Sequence, residues 1–214
     1  KQDRRYIHWA VGRAIRHSRA VDTTIFGFVR DALLGRAPPG SSPTLRTRTR
    51  RFARRFQQFT SPVAAKGVED TALYRFNRLV SLNEVGSDPD AFGISIRAFH
   101  AANLDRAARW PHTMLATSTH DNKRSEDVRA RIDVISEMPA AWRLLLRRWR
   151  LMNRSRRSSV SGEPAPTAND EYLLYQILLG TCRTEEWTRD DAGQSLAAYA
   201  GRVERYMLKA ARES

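Results

Sequence analysis

Apolar residues return every three or four positions through much of the chain, the spacing that turns one face of an α-helix toward a core. Tyr6, Trp9, Ala10 and Ile15, then Ile25, Phe28, Val29 and Leu33, keep this spacing and predict helix over 5–36. Gly35 and the run Pro38-Pro39-Gly40-Ser41-Ser42-Pro43 break it. In the basic segment that follows, Arg46, Arg48 and Arg50 alternate as in a strand or loop, whereas Phe52 and Phe56 sit four apart, as in a helix. The clearest helical pattern covers 61–82. Ser61-Pro62 offers a capping hydroxyl and a first-turn proline. Ala65, Val68, Ala72, Phe76 and Leu79 share one face; Lys66, Glu69, Asp70, Tyr74, Asn77 and Ser81 share the other. Gly86-Ser87-Asp88-Pro89 closes that unit, and 90–108 reads as a further helix.

The texture changes at 113–119, which is uncharged and rich in Thr, and is followed by His120-Asp121-Asn122-Lys123-Arg124. A strand running into a polar loop fits this pattern. Ser125 is then a natural N-cap, with Glu126 and Asp127 in the first turn, where the helix dipole favours acids. In α/β barrels the loops at the C-terminal ends of strands carry the chemistry. Helix follows over 126–137, and after Pro139 a second amphipathic helix presents Trp142, Leu145, Leu146, Trp149 and Met152. The Arg/Ser/Pro-rich stretch 154–167 reads as a mobile loop, 171–180 as a buried helix ending at Gly180, and the tail from Thr188 as helix with Tyr199, Val203, Tyr206 and Met207 on one face. The fold class is therefore mainly α-helical with one or two strands, without an internal repeat.

Composition removes several alternatives. Hydrophobic residues make up 41% of the 214, too many for a disordered chain. No apolar run reaches the roughly 20 residues of a membrane helix, so no membrane partner is expected. Cys182 is the single cysteine, which excludes a disulfide scaffold, and the five His show no metal-ligand spacing. There is no phosphate loop and no dinucleotide fingerprint, so neither metal nor cofactor is expected. The start, Lys1-Gln2-Asp3-Arg4-Arg5, lacks the apolar core of a signal peptide, and a cytoplasmic setting follows. Beginning on Lys and ending without a closing element, the chain reads as a piece of a longer protein.

The net charge is +14, from 37 Lys+Arg against 23 Asp+Glu. An Arg-rich helical module binding nucleic acid is one reading of that balance. Solvated faces in an Arg-biased sequence are the other, since the arginines are spread along the chain; nucleic acid is accordingly not the partner expected. A non-catalytic helical scaffold is a third reading. At least four of the five Trp (9, 110, 142, 149, 187) are expected in packing.

Two constellations could carry chemistry. His120-Asp121 beside Lys123-Arg124 offers a carboxylate among bases, able to stabilise positive charge or grip sugar hydroxyls; equally, Asp121 could only cap the following helix. The stripe Lys66, Glu69, Asp70, Tyr74, Asn77 could be a site or a solvated face tied by i,i+3 and i,i+4 pairs. Only four of the basic residues are Lys, and Lys66 and Lys123 fall inside these two blocks. A compact, mobile ammonium there is not equivalent to an Arg fork.

The same blocks carry a resemblance. The runs at 59–79 (with Lys66-Gly67-Val68-Glu69-Asp70), 82–86 (Leu82-Asn83-Glu84-Val85-Gly86), 110–121 (Trp110-Pro111-His112 through His120-Asp121), 123–131, 169–176 and 206–210 resemble the maltooligosyl trehalose synthases of the α-amylase superfamily. The match spans most of 50–210 and, more loosely, 1–50. It implies an intramolecular transglucosylase that converts the reducing-end α-1,4 bond of a maltooligosaccharide into an α,α-1,1 bond by a retaining route, without cofactor. It implies a partial (β/α)₈ barrel plus a helical insertion: 1–110 the insertion, 111–137 a late barrel strand with its catalytic-type loop and helix, 138–214 a C-terminal helical part. Asp121 would be the third barrel carboxylate. His120, Lys123 and Arg124 would line its subsite, and Lys66, Glu69 and Asp70 would close over the reducing end. Asn122 stands where the family usually has Thr. The nucleophile strand and the strand bearing the acid/base Glu are not found. Their place would fall to the missing N-terminal barrel segment of the same enzyme, and this chain alone is expected to be inactive.

Overall fold

The computed structural model describes residues 2–182 and 192–214, so Trp187 and the first part of the expected C-terminal helix lie outside the described residues. The chain divides into two compact units, Lys1–Lys66 and Gly67–Ser214.

The first unit is helical. The single helix expected over 5–36 is two, α1 (Gln2–His17) and α2 (Thr24–Leu33), which contact each other. The break has a local cause. The Asp22 carboxylate accepts from the Thr24 N–H at 2.8 Å and from its hydroxyl at 3.0 Å, which starts a new helix where the apolar spacing alone suggested continuity. Helix α3 (Pro43–Gly67) then runs through the basic segment. Ser61-Pro62 does not begin a helix: Pro62 lies inside α3, and the rows of Arg and Phe belong to the same helix.

In the second unit the helix expected to reach residue 82 stops early. A π-helical turn, Val68–Ala72, leads into α4 (Leu73–Arg75), and the chain then leaves helical geometry. Side chains from elsewhere serve the released backbone. The Asn83 amide donates to the carbonyls of Leu73 at 2.9 Å and Phe76 at 2.7 Å. The Gln176 amide donates to the Asn77 carbonyl at 2.8 Å and accepts the Val80 N–H at 2.9 Å. Asn169 reaches the Arg75 carbonyl and Tyr172 the Arg78 carbonyl. Buried backbone groups need such partners, and here they permit an irregular segment in the core. The stripe read as one polar face is split accordingly: Tyr74, Asn77 and Ser81 are buried.

Beyond it come α5 (Ile96–Arg109), capped by the Ser95 hydroxyl, then α6 (Glu126–Glu137) and α7 (Pro139–Met152), which start where the sequence indicates. The stretch 154–167 is not a mobile loop. It forms a hairpin of β1 (Ser158–Val160) and β2 (Glu163–Ala165), antiparallel, with Ser158 opposite Ala165. Its two-residue turn, Ser161-Gly162, has φ of 53° and 86°, the left-handed pair a tight hairpin requires. These are the strands among the described residues. The strand expected at 113–119 is exposed chain outside any strand pairing, and no partial barrel is seen among the described residues. A parallel barrel strand needs neighbours on both sides for its backbone bonds, and this unit offers none.

Helix α8 (Ala168–Thr181) is the hub, opened by a capping box between Thr167 and Asp170. Leu173, Tyr175 and Ile177 pack with Ile132 and Ile135 of α6, Trp142 of α7 and Val80. Gly180 is not the helix end. A Cβ there would lie 2.9 Å from side-chain atoms of Ile132 and Val128, so glycine is what lets α6 and α8 approach. Glu171, buried, is neutralised by Arg150 at 3.4 Å and by Arg157, and accepts from the Tyr175 hydroxyl at 2.7 Å. Helix α9 (Ala192–Glu213) adds Tyr206, Met207 and Ala210. Of the described tryptophans, Trp142 and Trp149 pack edge to face, whereas Trp9 and Trp110 are exposed, contrary to the packing role expected for them.

Candidate active site

Between α5 and α6 the chain makes one exposed excursion, and its tip carries His120 and Asp121. The tip is a turn closed by the Asn122 N–H on the Thr119 carbonyl at 3.2 Å and by the Asn122 side-chain oxygen on the Thr119 N–H. The His120 ring nitrogen Nε2 lies 3.3 Å from the Asp121 carboxylate, and their side chains are 91% and 68% exposed. That carboxylate has no other ion-pair or hydrogen-bond partner among the described residues.

Below the tip the environment reverses. Glu84 is 16% exposed and sits under the C-terminal stem of the loop. One carboxylate oxygen accepts the Lys123 N–H at 2.6 Å and the Val85 N–H at 3.0 Å; the other accepts the Arg124 N–H at 3.2 Å and an Arg129 guanidinium N–H at 3.4 Å. Burial pushes the Glu84 carboxyl up, but the N–H groups of Lys123, Val85 and Arg124, joined by the Asn122 side chain, outweigh it and hold the group below its ordinary value. Arg129 in turn donates to the carbonyls of Arg124, at 3.0 Å, and Thr117.

Lys123 points back into the unit. Its ammonium is 2.9 Å from the Asp70 carboxylate and 5.3 Å from the centre of the Tyr74 ring. Burial disfavours that charge, yet the hydrogen bond to Asp70, with Tyr74 and the charges of Asp70 and Glu213, raises its pKa. Burial likewise pushes up the phenols of Tyr74 and Tyr206. Arg124 is buried, donating to the Val80 carbonyl at 3.0 Å and the Tyr206 hydroxyl at 2.8 Å. A pocket of about 270 Å³ opens beside it, walled by Lys123, Ser125, Thr181, Tyr199, Arg202 and Tyr206.

Of the residues singled out in the sequence, Asp70 and Lys123 are therefore joined directly, and Arg124 lies at the same root. Glu69, next to Asp70 in the π-helical turn, instead accepts the Gly86 N–H at 3.4 Å. His120 and Asp121 are joined to each other at the tip, not to the basic pair that follows them. Lys66 is the last residue of the first unit, in the final turn of α3. Ser125 sits at the N-cap position of α6 without a side-chain cap bond. Sequence reasoning missed Glu84 and Arg129 as site residues; the available signal was a lone carboxylate in the otherwise uncharged run Leu79–Ser87. Among the described residues no group of three or more His, Cys, Asp or Glu could hold a metal, and no helix is long and apolar enough to cross a membrane.

No protein-family model matches the chain. A protein of Mycobacterium tuberculosis named as a maltooligosyl trehalose synthase is 41% identical over 160 residues, which are 75% of this chain and 19% of that protein. The maltooligosyltrehalose synthase of Arthrobacter ramosus, solved as a mutant, superposes with a TM-score of 0.61 over 98% of this chain and 23% of its own, at 36% identity. This chain is a relative of part of the maltooligosyl trehalose synthases. It spans only about a fifth of the curated relatives it matches. A protein of Sulfolobus tokodaii, described as a hypothetical maltooligosyl trehalose synthase, gives the same TM-score of 0.61 at 30% identity, over 99% of this chain and 28% of its own. The likeness to maltooligosyl trehalose synthases thus extends through nearly the whole chain.

Proposed function

We propose that the chain supplies one wall of the active site of a cytoplasmic intramolecular transglucosylase, an isomerase that moves the reducing-end glucose of a maltooligosaccharide from an α-1,4 to an α,α-1,1 bond. The observation that carries this reading is a contrast within one loop. The Asp121 carboxylate stands open at the tip with only His120 beside it, while at the root the Glu84 and Asp70 carboxylates, the Lys123 ammonium and the Lys123 and Arg124 N–H groups are engaged with one another. A carboxylate left open on a firmly rooted turn is suited to meet something outside the chain. The names borne by relatives at 41% and 36% identity favour a sugar.

Retention requires a nucleophile and an acid/base about 5–5.5 Å apart across the scissile bond. Asp121 is one carboxylate and cannot perform both steps. It would stabilise the oxocarbenium-like transition state and hold sugar hydroxyls, with His120 binding a hydroxyl beside it. The nucleophile and the acid/base would come from another barrel segment of the same enzyme, against which 113–119 takes its place as a strand. The exposed Met114 (95%) and Leu115 (73%) are the apolar surface such a neighbour would cover. In this reading 1–110 forms a helical insertion, 111–137 the late barrel strand, loop and helix, and 138–214 the C-terminal helical part. Lys123 and Arg124 line the subsite of Asp121, and Glu69 and Asp70 border the reducing-end glucose, whose retention in place of water separates isomerisation from hydrolysis.

The test is Asp121→Asn in the full-length enzyme, assayed for conversion of maltopentaose to its non-reducing isomer. Turnover should fall at least about 100-fold with the fold intact. Unchanged turnover would return the chain to the scaffold reading. The isolated chain should form no such product, and any formed would overturn the division of catalytic groups.

A further inference from the structure

We infer that Glu84 and Arg129 act together as the positioning pair of the Asp121 loop, gripping both of its stems with one carboxylate–guanidinium contact. This rests on the catalytic reading of Asp121 but assigns a role that reading does not contain. On the C-terminal side, Glu84 takes the consecutive N–H groups of Lys123, at 2.6 Å, and Arg124, at 3.2 Å. On the N-terminal side, Arg129 takes the Thr117 carbonyl, and it also takes the Arg124 carbonyl at 3.0 Å. Glu84 and Arg129 meet at 3.4 Å, with exposures of 16% and 22%. The four residues Thr119 to Asn122 are thus a short closed turn on a base fixed from both sides. Glu84 meets the turn at the Asn122 side chain, but neither residue bonds His120 or Asp121, so each acts through Asp121 and neither is a catalytic residue.

Catalysis by a held carboxylate is sensitive to placement, since a 1 Å error can cost about 100-fold. Charge is part of the design. The N–H groups of Lys123, Val85, Arg124 and the Arg129 guanidinium converge on the two oxygens of Glu84, with the Asn122 side chain beside them. An amide in its place would aim its own N–H groups at donors.

The experiment uses the full-length enzyme. Glu84→Gln should lower kcat about 10- to 100-fold while KM for maltopentaose stays within about twofold, because Glu84 itself makes no contact with substrate. The double variant Asp121→Asn/Glu84→Gln should be no slower than Asp121→Asn alone, because a residue acting through Asp121 has nothing left to position. Glu137→Gln, an exposed acid on α6, should leave both constants unchanged. A wild-type kcat in Glu84→Gln beside an inactive Asp121→Asn overturns this inference and leaves the proposed function standing. Losses that add in the double variant, or a rise in KM with kcat intact, overturn it too. Wild-type turnover in Asp121→Asn overturns both. Should Glu84→Gln fail to fold, Arg129→Gln decides: it frees the N-terminal stem but keeps the Lys123 and Arg124 bonds, and it must lower kcat at constant KM for the pair to stand.

Discussion

The two units spend similar apolar sequence in opposite ways. In Gly67–Ser214, Ile132 and Val80 are fully buried and Leu173 is 1% exposed. In Lys1–Lys66, Ala53 is the single buried residue among those described, while Trp9, Phe28 and Phe59 are 58%, 61% and 69% exposed. Both units show the same three-to-four spacing. That spacing specifies a face for each helix but not the surface that covers it. Order in the second unit comes from interdigitated side chains and from amides that serve the irregular backbone. In the first it comes from helix formation itself.

The sharpest way to break that comparison is to cut the hub. Leu173→Ala in the isolated chain should cost about 2–5 kcal/mol, read from the urea midpoint, because the cavity lies among Ile132, Ile135 and Val80 and has little room to relax. A cost below about 1 kcal/mol would mean that the second unit is no better packed than the first. Gly180→Ala should cost about 1–3 kcal/mol from the 2.9 Å approaches to Ile132 and Val128, less the roughly 1 kcal/mol that alanine gains in a helix. Adding Ile132→Val should recover part of it; a Gly180→Ala chain as stable as the parent would remove close approach as the reason for the glycine.

Gly180 also shows where the sequence was legible. A glycine near the end of a buried helix reads as a terminus, because that is the usual local meaning. Its real constraint is the distance to α6, which no one-dimensional pattern holds. The starts of α6 and α7 were legible because Ser125, Glu126, Asp127 and Pro139 are local signals read locally. The hairpin was equally local, written in Ser161-Gly162, but the surrounding Arg and Ser masked it. The end of α4 was not legible. Asn83 and Gln176, far apart in sequence, supply the bonds that let the helix stop. At the site, Asp121 and Lys123 stood out as residue types, while Glu84 gains its role only from a loop about 40 residues away. The strand at 113–119 has a strand's composition and lacks neighbours within this unit.

The pH dependence sharpens the same contrast. Glu84 has a folded pKa below its ordinary value of about 4.5, so it contributes stability above that value and loses it as pH falls through the lowered one. Lys123 is the reverse case: its pKa is raised, so its contribution is complete below about 10.5 and is lost only as pH rises past the raised value. Between these limits both are engaged. Glu84→Gln should cost about 1–3 kcal/mol at neutral pH, through buried donors left without an acceptor, and should flatten the decline in urea midpoint on acidification below about pH 4.5. An acid limb as steep as in the parent chain would show that another carboxylate sets it.

The smallest effect is expected in the first unit, and it tests the comparison from the other side. Phe28 on α2 is 61% exposed, so truncating it removes little buried area. Surface changes of this kind stay within about 0.5 kcal/mol. Phe28→Ala in the isolated chain should therefore leave the unfolding midpoint nearly unmoved, while Leu173→Ala shifts it strongly. In the longer enzyme of the proposed function the same substitution should become costly, toward the roughly 3–5 kcal/mol of a buried Phe→Ala change, as that proposal has the exposed faces of α1 and α2 covered there. A loss above about 1 kcal/mol in the chain alone would show that Phe28 already has a partner here. An equally silent substitution in the full-length enzyme would show that these faces are exposed there too, and the difference between the units would then belong to the protein as a whole.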